Sequence, residues 1–411
     1  MHKVVIIGGG AAGFFAAANL VEMAPETQII ILEKSSKLLS KVRISGGGRC
    51  NVTHDCTHIS DLIQNYPRGA RQLKHVFHQF GVAETKAWFE SRGVPLKTEQ
   101  DGRIFPKSDS SQSIITCLFD ACNAKHVSVR TSCEVISVEG TIGNFVVKTH
   151  KDEINCSSVV VAAGGFNKLQ GYHFLHSLGI RIISPVPSLF TINLKAQSVT
   201  ELMGISIPNV EVKVAGTKYR YRGPLLITHW GFSGPAVLKL SAFAAEFFHE
   251  RNYAAEIIIN WTEFENEEQI RATLMNAIHQ KSNSFPENSA IFHLPRRLWA
   301  YLLVSSGIEL SKNWSEQNSK SIQRLVNKLG SDVYTMSGKT TFKEEFVTCG
   351  GVDLNDVDMK TMECKRIRGL YFAGEVLNVD GVTGGFNFQA AWSTAYVAAK
   401  SIVASHLNLK I

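Results

Sequence analysis

The chain has 411 residues, of which 44% are hydrophobic and 19% charged, and a formal net charge of +7. That is enough chain to bury a sizeable core, and the length points to two or three domains rather than one. The cations are scattered, densest at Lys365, Arg366 and Arg368 and from Lys218 to Arg222, which favours solvated faces over a nucleic-acid footprint. The eight cysteines (Cys50, Cys56, Cys117, Cys122, Cys133, Cys156, Cys349, Cys364) form no C-x-x-C pair, which argues against a zinc ribbon or a dithiol redox site. No metal site is expected. The start lacks the basic region and long apolar stretch of a secretory leader, and no apolar run has the length to span a bilayer. The cytoplasm is the expected compartment, with no membrane partner.

In chain order, Val4 to Ile7 reads as a short buried strand, Gly8 to Gly13 as a turn, Phe14 to Met23 as an Ala-rich helix, and Gln28 to Leu32 as a second buried strand ending at Glu33. Runs that are apolar on both faces indicate parallel strands, so this is a β-α-β unit. Arg68 to Arg92 has helical spacing, with Leu73, Val76, Phe77, Phe80, Trp88 and Phe89 apolar. Alternation over Val127 to Val138 and Asn144 to Thr149 predicts an antiparallel ribbon, and Ser158 to Val161 another buried strand. The pattern changes near Ser184-Pro185-Val186-Pro187. Short strands follow from Phe190 to Arg222 and at Glu256 to Trp261, then helices near Glu267 to Gln280, Arg296 to Ser305 and Ser319 to Leu329. After Phe342 the opening character returns, with a strand at Gly369 to Gly374 and a closing helix from Phe386 to Ser405. The expected class is α/β. One domain (1–188 and 343–411) is interrupted by a β-rich insert (189–262, returning at 331–342) that carries a helical subdomain (263–330).

Three constellations carry chemistry. In Gly8-x-Gly10-x-x-Gly13, spanning Ala11 and Ala12, glycine serves a tight turn, close approach of backbone to a pyrophosphate, and close packing of helix on strand. The helix amino terminus then favours the anion. Glu33, twenty residues on, suits both ribose hydroxyls of an adenosine and repels a 2′-phosphate; Lys34 follows it. The late segment Gly369 to Glu375 has the form of a second nucleotide motif, a strand ending in a small residue, glycine and an acid. Two such motifs at opposite ends of one domain favour FAD, held non-covalently, over NAD. Thr383-Gly384-Gly385-Phe386-Asn387-Phe388 opens the closing helix, whose amino terminus would face the flavin N1 and C2 carbonyl. Asp380, just before it, and Val135 in the ribbon belong to the same expected set.

The third constellation is Lys41-Val42-Arg43-Ile44-Ser45-Gly46-Gly47-Gly48-Arg49-Cys50-Asn51, where glycines admit a ligand to the backbone and the cations suit pyrophosphate or an acidic substrate. Cys50, with no second cysteine at working spacing, reads as a packing residue rather than a redox partner. For catalysis, His229 in Thr228-His229-Trp230-Gly231-Phe232-Ser233-Gly234-Pro235 is the acid-base candidate, against the alternative of a histidine that bonds a structural turn. Arg103 in Gly102-Arg103-Ile104-Phe105-Pro106 would hold a substrate carboxylate or pair within the protein.

On these motifs the chain resembles, over nearly its full length, the aminoacetone oxidase family of FAD-binding enzymes, also described as BaiN-like or YhiN-like NAD(P)/FAD-dependent oxidoreductases. The resemblance implies a glutathione-reductase-like Rossmann domain interrupted by a β-barrel-like domain and a small helical one. It also implies that Ser45 to Asn51 and Gly384 to Phe388 line the FAD, with Ala162 to Gly164, including Ala163, near it. The chain departs from the family at Phe166 to Tyr172, where a longer Pro- and Gly-rich loop is usual, and at Cys349, where a small non-thiol residue is more common. The expected activity is hydride transfer between flavin and a small amine, ketone or enone, with oxygen or a transiently docked NAD(P)H as redox partner. The alternatives are a flavin-dependent nucleic-acid (tRNA) modifying enzyme, with no stable nucleic acid otherwise expected, and a flavin-binding regulator without turnover. Oligomeric state is not readable from the sequence.

Overall fold

The structure, a computed structural model, describes residues 2–123, 126–141, 143–195, 198–289, 291–340 and 347–407. The chain forms two compact units, Met1–Pro187 with Lys343–Ile411, and Ser188–Phe342. Residues 341–346, where the sequence reading puts the return to the first domain, lie outside the described residues.

The first unit is built on a sheet whose central strands are all parallel. Lys3–Ile7 (β1) pairs with Gln28–Leu32 (β2) on one side and Ser158–Val161 (β4) on the other. Val127–Arg130 (β3) extends the sheet beyond β2, and Leu370–Phe372 (β5) extends it beyond β4. Two antiparallel two-residue strands, Val357–Asp358 and Glu363–Cys364, complete seven strands beyond β5. From Val4 to Ile7 and from Val159 to Val161 every residue is buried, as parallel strands covered on both faces require. The helix Ala11–Met23 (α1) packs against the closing helix Phe386–His406 (α2). Both helices are rich in buried alanine (Ala16, Ala17 and Ala18 on one, Ala390, Ala391 and Ala395 on the other), and Phe15 meets Trp392 between them with ring centroids 5.1 Å apart.

Two expectations are corrected here. The predicted ribbon from Val127 is two elements: β3 belongs to the parallel sheet, and the ribbon proper is Val135–Thr141, Asn144–Thr149 and Glu153–Cys156. The break is at Ser132, whose φ of 50° reverses the chain while the Ser132 and Cys133 N–H groups bond the Ser35 and Glu33 carbonyls. The second correction concerns the two nucleotide motifs, which stand far apart in sequence but not in space. Because β1, β4 and β5 run parallel, both motifs follow carboxyl ends of the same sheet, two strands apart.

The chain leaves the first unit along Ile182–Pro187 and re-enters along Thr348–Val352, and these strands pair antiparallel with Pro187 opposite Thr348. A Cβ at Gly350 or Gly351 would lie 2.5 Å or 2.4 Å from the Ser184 or Val376 carbonyl oxygen, so both positions require glycine. Cys349, just before them, is buried, and its thiol donates to the Val186 carbonyl at 3.4 Å.

The second unit is a closed barrel of Thr191–Leu194, Gly231–Ser233, Arg220–Ile227, Ser206–Val214, Ala255–Asn260 and Asp332–Thr340, in that order around the wall. Ile192, Val212, Leu225, Ile257 and Tyr334 fill it, and the helices Glu267–Gln280, Arg296–Ser305 and Ser319–Ser331 draw on the same hydrophobic core. Among the described residues no helix is long and apolar enough to cross a membrane, and no group of three or more metal-ligating side chains occurs.

Candidate cofactor and active site

The site begins where β1 ends. Gly8 has φ of 118°, and a Cβ there would sit 2.3 Å from the Ala162 carbonyl oxygen; one at Gly13 would sit 2.0 Å from the Gly8 carbonyl oxygen. Both glycines are demanded by the fold itself. Gly10 is different: a Cβ there would meet nothing within 4 Å. It starts α1 with no side-chain cap and no acid in the first turn, so the N–H groups of that turn are left to whatever fills the open space. Glu33 fixes the loop from the next strand, its carboxylate accepting from the Gly9 N–H at 2.9 Å and the Ser35 N–H at 2.8 Å.

Beside this loop lies a cavity of about 320 Å³, lined by Ile7, Gly8, Glu33, Lys34, Val135, Ala163 and Phe166 among others. Phe166, on the short loop that departs from the family pattern, makes one wall. It packs so closely over Gly171 that a Cβ there would come within 2.3 Å of the ring, and the Lys34 ammonium stands 4.8 Å from its centroid.

The late motif meets the first directly. Gly374, with φ of 75°, has its N–H held by Thr394 Oγ1 at 2.9 Å, and a Cβ there would fall 2.9 Å from that of Ala12. Glu375 Oε2 accepts from Lys41 Nζ at 2.5 Å, while its Oε1 is buried without a hydrogen-bond partner. Gly165 is held against Glu375, and Gly164 beside it has φ of 75° with open space around it.

The third constellation is half helix and half left-handed turn. The helix Ser40–Gly48 kinks at Ser45, and Gly46, Gly47 and Gly48 carry φ of 58°, 69° and 84°. Ser45 accepts the Cys50 N–H through its carbonyl, and the buried Asn51 Oδ1 has no partner. The chain just after the turn packs on the start of α2, where a Cβ at Gly385 would lie 2.6 Å from the Thr53 backbone. Here the Asn387 side chain bonds both the N–H and the carbonyl of Gly381, Phe386 stacks on His54 and Phe388 on Trp392. Gly384 packs against the Phe386 ring, 3.1 Å from its would-be Cβ. These side chains shape the turn, and α2 begins with no side-chain cap and no acid in its first turn. Gln389, which carries no sequence signal beyond being a lone amide in an Ala-rich helix, is fully buried. It joins Thr53 (2.5 Å), Thr85 (2.9 Å) and Ser393 (2.9 Å).

Several predicted charges are already engaged. The Arg49 guanidinium bonds Glu99 at 2.6 Å and lies 4.0 Å from the Phe105 ring centroid. Arg103 is held by Asp101 at 2.7 Å and Glu99 at 3.2 Å. The fully buried Asp380 carboxylate is bridged by both ends of the Arg68 guanidinium. The partners of Arg103 lie in its own turn, whereas those of Arg49 and Asp380 come from distant segments with no local sequence signal. Burial pushes the Cys50 thiol up to about 12, only partly offset by a hydrogen bond with Ser45, which makes it a neutral packing group. His229 belongs to the second unit, at the exposed tip of the turn between Arg220–Ile227 and Gly231–Ser233; its ring lies 4.0 Å from that of Trp230. Thr228 and Gly231 close the turn by backbone and hydroxyl hydrogen bonds, leaving the imidazole out of that closure.

Open space above Gly10, two uncapped helix starts and two buried acceptors without partners, Asn51 Oδ1 and Glu375 Oε1, fit a long, two-ended dinucleotide. Comparison with known proteins agrees. The HI0933-like protein Rossmann domain family matches residues 2–401. The ribosomal RNA dihydrouridine synthase of Escherichia coli (strain K12) is 29% identical over 412 residues, covering 98% of each chain. The 3-dehydro-bile acid delta(4,6)-reductase of Clostridium scindens is 27% identical over 412 residues, covering 98% of this chain and 99% of that one. Among solved structures, 3-ketosteroid delta1-dehydrogenase from Sterolibacterium denitrificans matches with a TM-score of 0.52 at 13% identity, covering 98% of this chain and all of that one. The chain belongs to the HI0933-like family, and it is an FAD-dependent oxidoreductase with a Rossmann-type cofactor domain.

Proposed function

We propose that the chain is an FAD-dependent reductase that adds two hydrogens across a carbon–carbon double bond conjugated to a carbonyl, and that uridine in RNA is its substrate class. The observation that carries this is the pair of full-length relatives: one is named for making dihydrouridine, the other for reducing a delta(4,6) 3-dehydro steroid. The molecules share nothing but a double bond polarised by a carbonyl. This puts nucleic acid, the alternative to a small amine, ketone or enone on sequence grounds, first. Oxidation of aminoacetone, the other activity the family resemblance brings in, is the competing outcome.

In this reading the first turn of α1 binds the pyrophosphate and Glu33 the adenosine ribose. Val135 and Phe166 wall the adenine, and Asn51 and Glu375 offer their unpartnered oxygens to the rest of the cofactor. FAD bound by these residues would supply hydride-transfer chemistry toward the carbon β to the carbonyl, with NAD(P)H as the reductant. The uncapped start of α2 would favour negative charge developing beside it. A proton must then reach the neighbouring carbon, and His229, the acid-base candidate of the sequence, is the side chain we assign to that transfer. Arg103, held by two carboxylates, is better read as a structural cation than as a substrate clamp.

The test is an anaerobic spectrum of the holoenzyme titrated with NADPH and then NADH. The reduced enzyme is next mixed separately with cyclohexenone, an unmodified ribosomal RNA transcript, and air. Return of the flavin absorbance with the transcript, together with a mass gain of two hydrogens at a uridine, supports the reading. Return in air alone, or bleaching by aminoacetone in place of a nicotinamide, overturns it.

A further inference from the structure

The barrel unit carries a surface strip that neither its core nor the assigned chemistry explains. Lys239, Phe243, Phe247 and Arg251 recur every four residues along the consecutive helices Pro235–Phe243 and Ala245–Glu250 and the residue after them, so they share one face. Tyr219 and Tyr221, two apart, point to one side of the chain entering Arg220–Ile227. The two rows meet ring to ring: Tyr221 with Phe243 at 5.3 Å and 35°, Tyr219 with Phe247 at 6.0 Å and 60°. A cation closes each end, the Arg251 guanidinium 3.8 Å from the Phe247 centroid and the Lys239 ammonium 6.0 Å from that of Tyr221. All four rings are half-buried, with Tyr219, Tyr221 and Phe247 packed against the barrel core and still partly open to solvent.

Two facing pairs of aromatic rings flanked by cations match the two needs of a single-stranded nucleic acid, flat surfaces for bases and positive charge for phosphates. Glu250 lies 3.8 Å from Arg251 and offsets part of its charge, as Glu211 at 4.0 Å does for Arg220; the exposed Lys218, next to Tyr219, adds to it. We propose that this strip is a docking surface for single-stranded RNA, a proposal that rests on the reading of RNA uridine as substrate. Bases stack on Tyr221, Phe243 and Phe247, and the phosphates run toward Lys239 and Arg251.

The experiment is fluorescence anisotropy of a labelled, uridine-rich single-stranded RNA with the FAD-loaded protein over a range of salt. The wild type is expected to bind with an affinity that falls steeply as salt rises. Lys239→Glu with Arg251→Glu should weaken binding about tenfold or more and flatten the salt slope by about 2. Phe247→Leu, which keeps the charges, should weaken it roughly tenfold with the slope unchanged. Flavin absorbance serves as the folding control in each. Absence of binding by the wild type, or equal binding by both variants, overturns the proposal. So does loss of binding to a planar steroid enone in Phe247→Leu with RNA binding intact, since the strip would then serve an apolar ligand. Failure of the reductase reading shows separately: RNA binds and the variants weaken it, yet neither cyclohexenone nor the transcript reoxidises the reduced flavin.

Discussion

The two glycine-rich turns of the first unit look alike in sequence and are built on opposite logic. In the Gly8 to Gly13 turn the protein's own backbone forbids a side chain at two positions and leaves the third, Gly10, facing empty space. In the Gly46 to Gly48 turn the demand is conformational: all three residues sit at positive φ, and around Gly47 and Gly48 there is room. A glycine can therefore be required by packing, by dihedral angle, or by something the chain itself does not contain, and only the last marks a ligand directly.

Substitutions can separate these three. Gly13→Ala should have the largest effect, because its Cβ would stand 2.0 Å from a carbonyl oxygen fixed at the end of β1. We expect a loss of about 3 kcal/mol in thermal or urea unfolding, and a variant as stable as the wild type would show that the turn can relax. Gly10→Leu should do the reverse, keeping the apoprotein's melting transition within about 1 kcal/mol. Its FAD affinity should drop at least about tenfold, as read by equilibrium dialysis; unchanged affinity would mean that the space above Gly10 is not the cofactor's. Gly47→Ala meets no atom but must hold φ of 69°, so a cost of about 1–2 kcal/mol is expected, the same in apo and holo forms. The smallest effect concerns Cys50, next to the second turn. With burial pushing its thiol up to about 12, almost no thiolate forms at or below pH 9. Its labelling by iodoacetamide, followed by peptide mass spectrometry, should stay negligible from pH 7 to pH 9 in the folded protein and appear on unfolding.

Much of this was legible in the sequence, for a physical reason. The β1, α1, β2 unit with Glu33 announces itself because local spacing determines each part: a run buried on both faces, glycines at a helix start, an acid at the next strand's end. The helices at Glu267–Gln280 and Arg296–Ser305 were legible on the same ground, being periodic over more than two turns. What failed was whatever depended on a distant partner. Val127–Arg130 alternates like ribbon and is drawn into the parallel sheet by β2. Asp380 reads as a cofactor ligand until Arg68, over three hundred residues away, closes on it. The same holds for Arg49, whose Glu99 partner comes from another turn, while Arg103 pairs with Asp101 and Glu99 beside it in sequence. The unpartnered oxygens of Asn51 and Glu375, and the Phe166 wall, are properties of the assembled site and have no sequence signature.

The place of β5 in the sheet bears on how the protein is made. A ribosome delivers β1, β2, β3 and β4 within the first two-fifths of the chain, so the Rossmann half can pair as it emerges, but β4 then ends in a bare Val159-Val160-Val161 edge. Its partner, Leu370–Phe372, follows only after roughly 200 further residues, about 10–40 s of synthesis at ordinary elongation rates. For that interval the nascent chain carries an open, β-branched strand edge, the feature that invites pairing with other chains. It also carries an α1 whose alanine face lacks its cover, since α2 is among the last segments made. The barrel unit is complete before either arrives, so vectorial synthesis finishes the inserted unit first and the cofactor domain last.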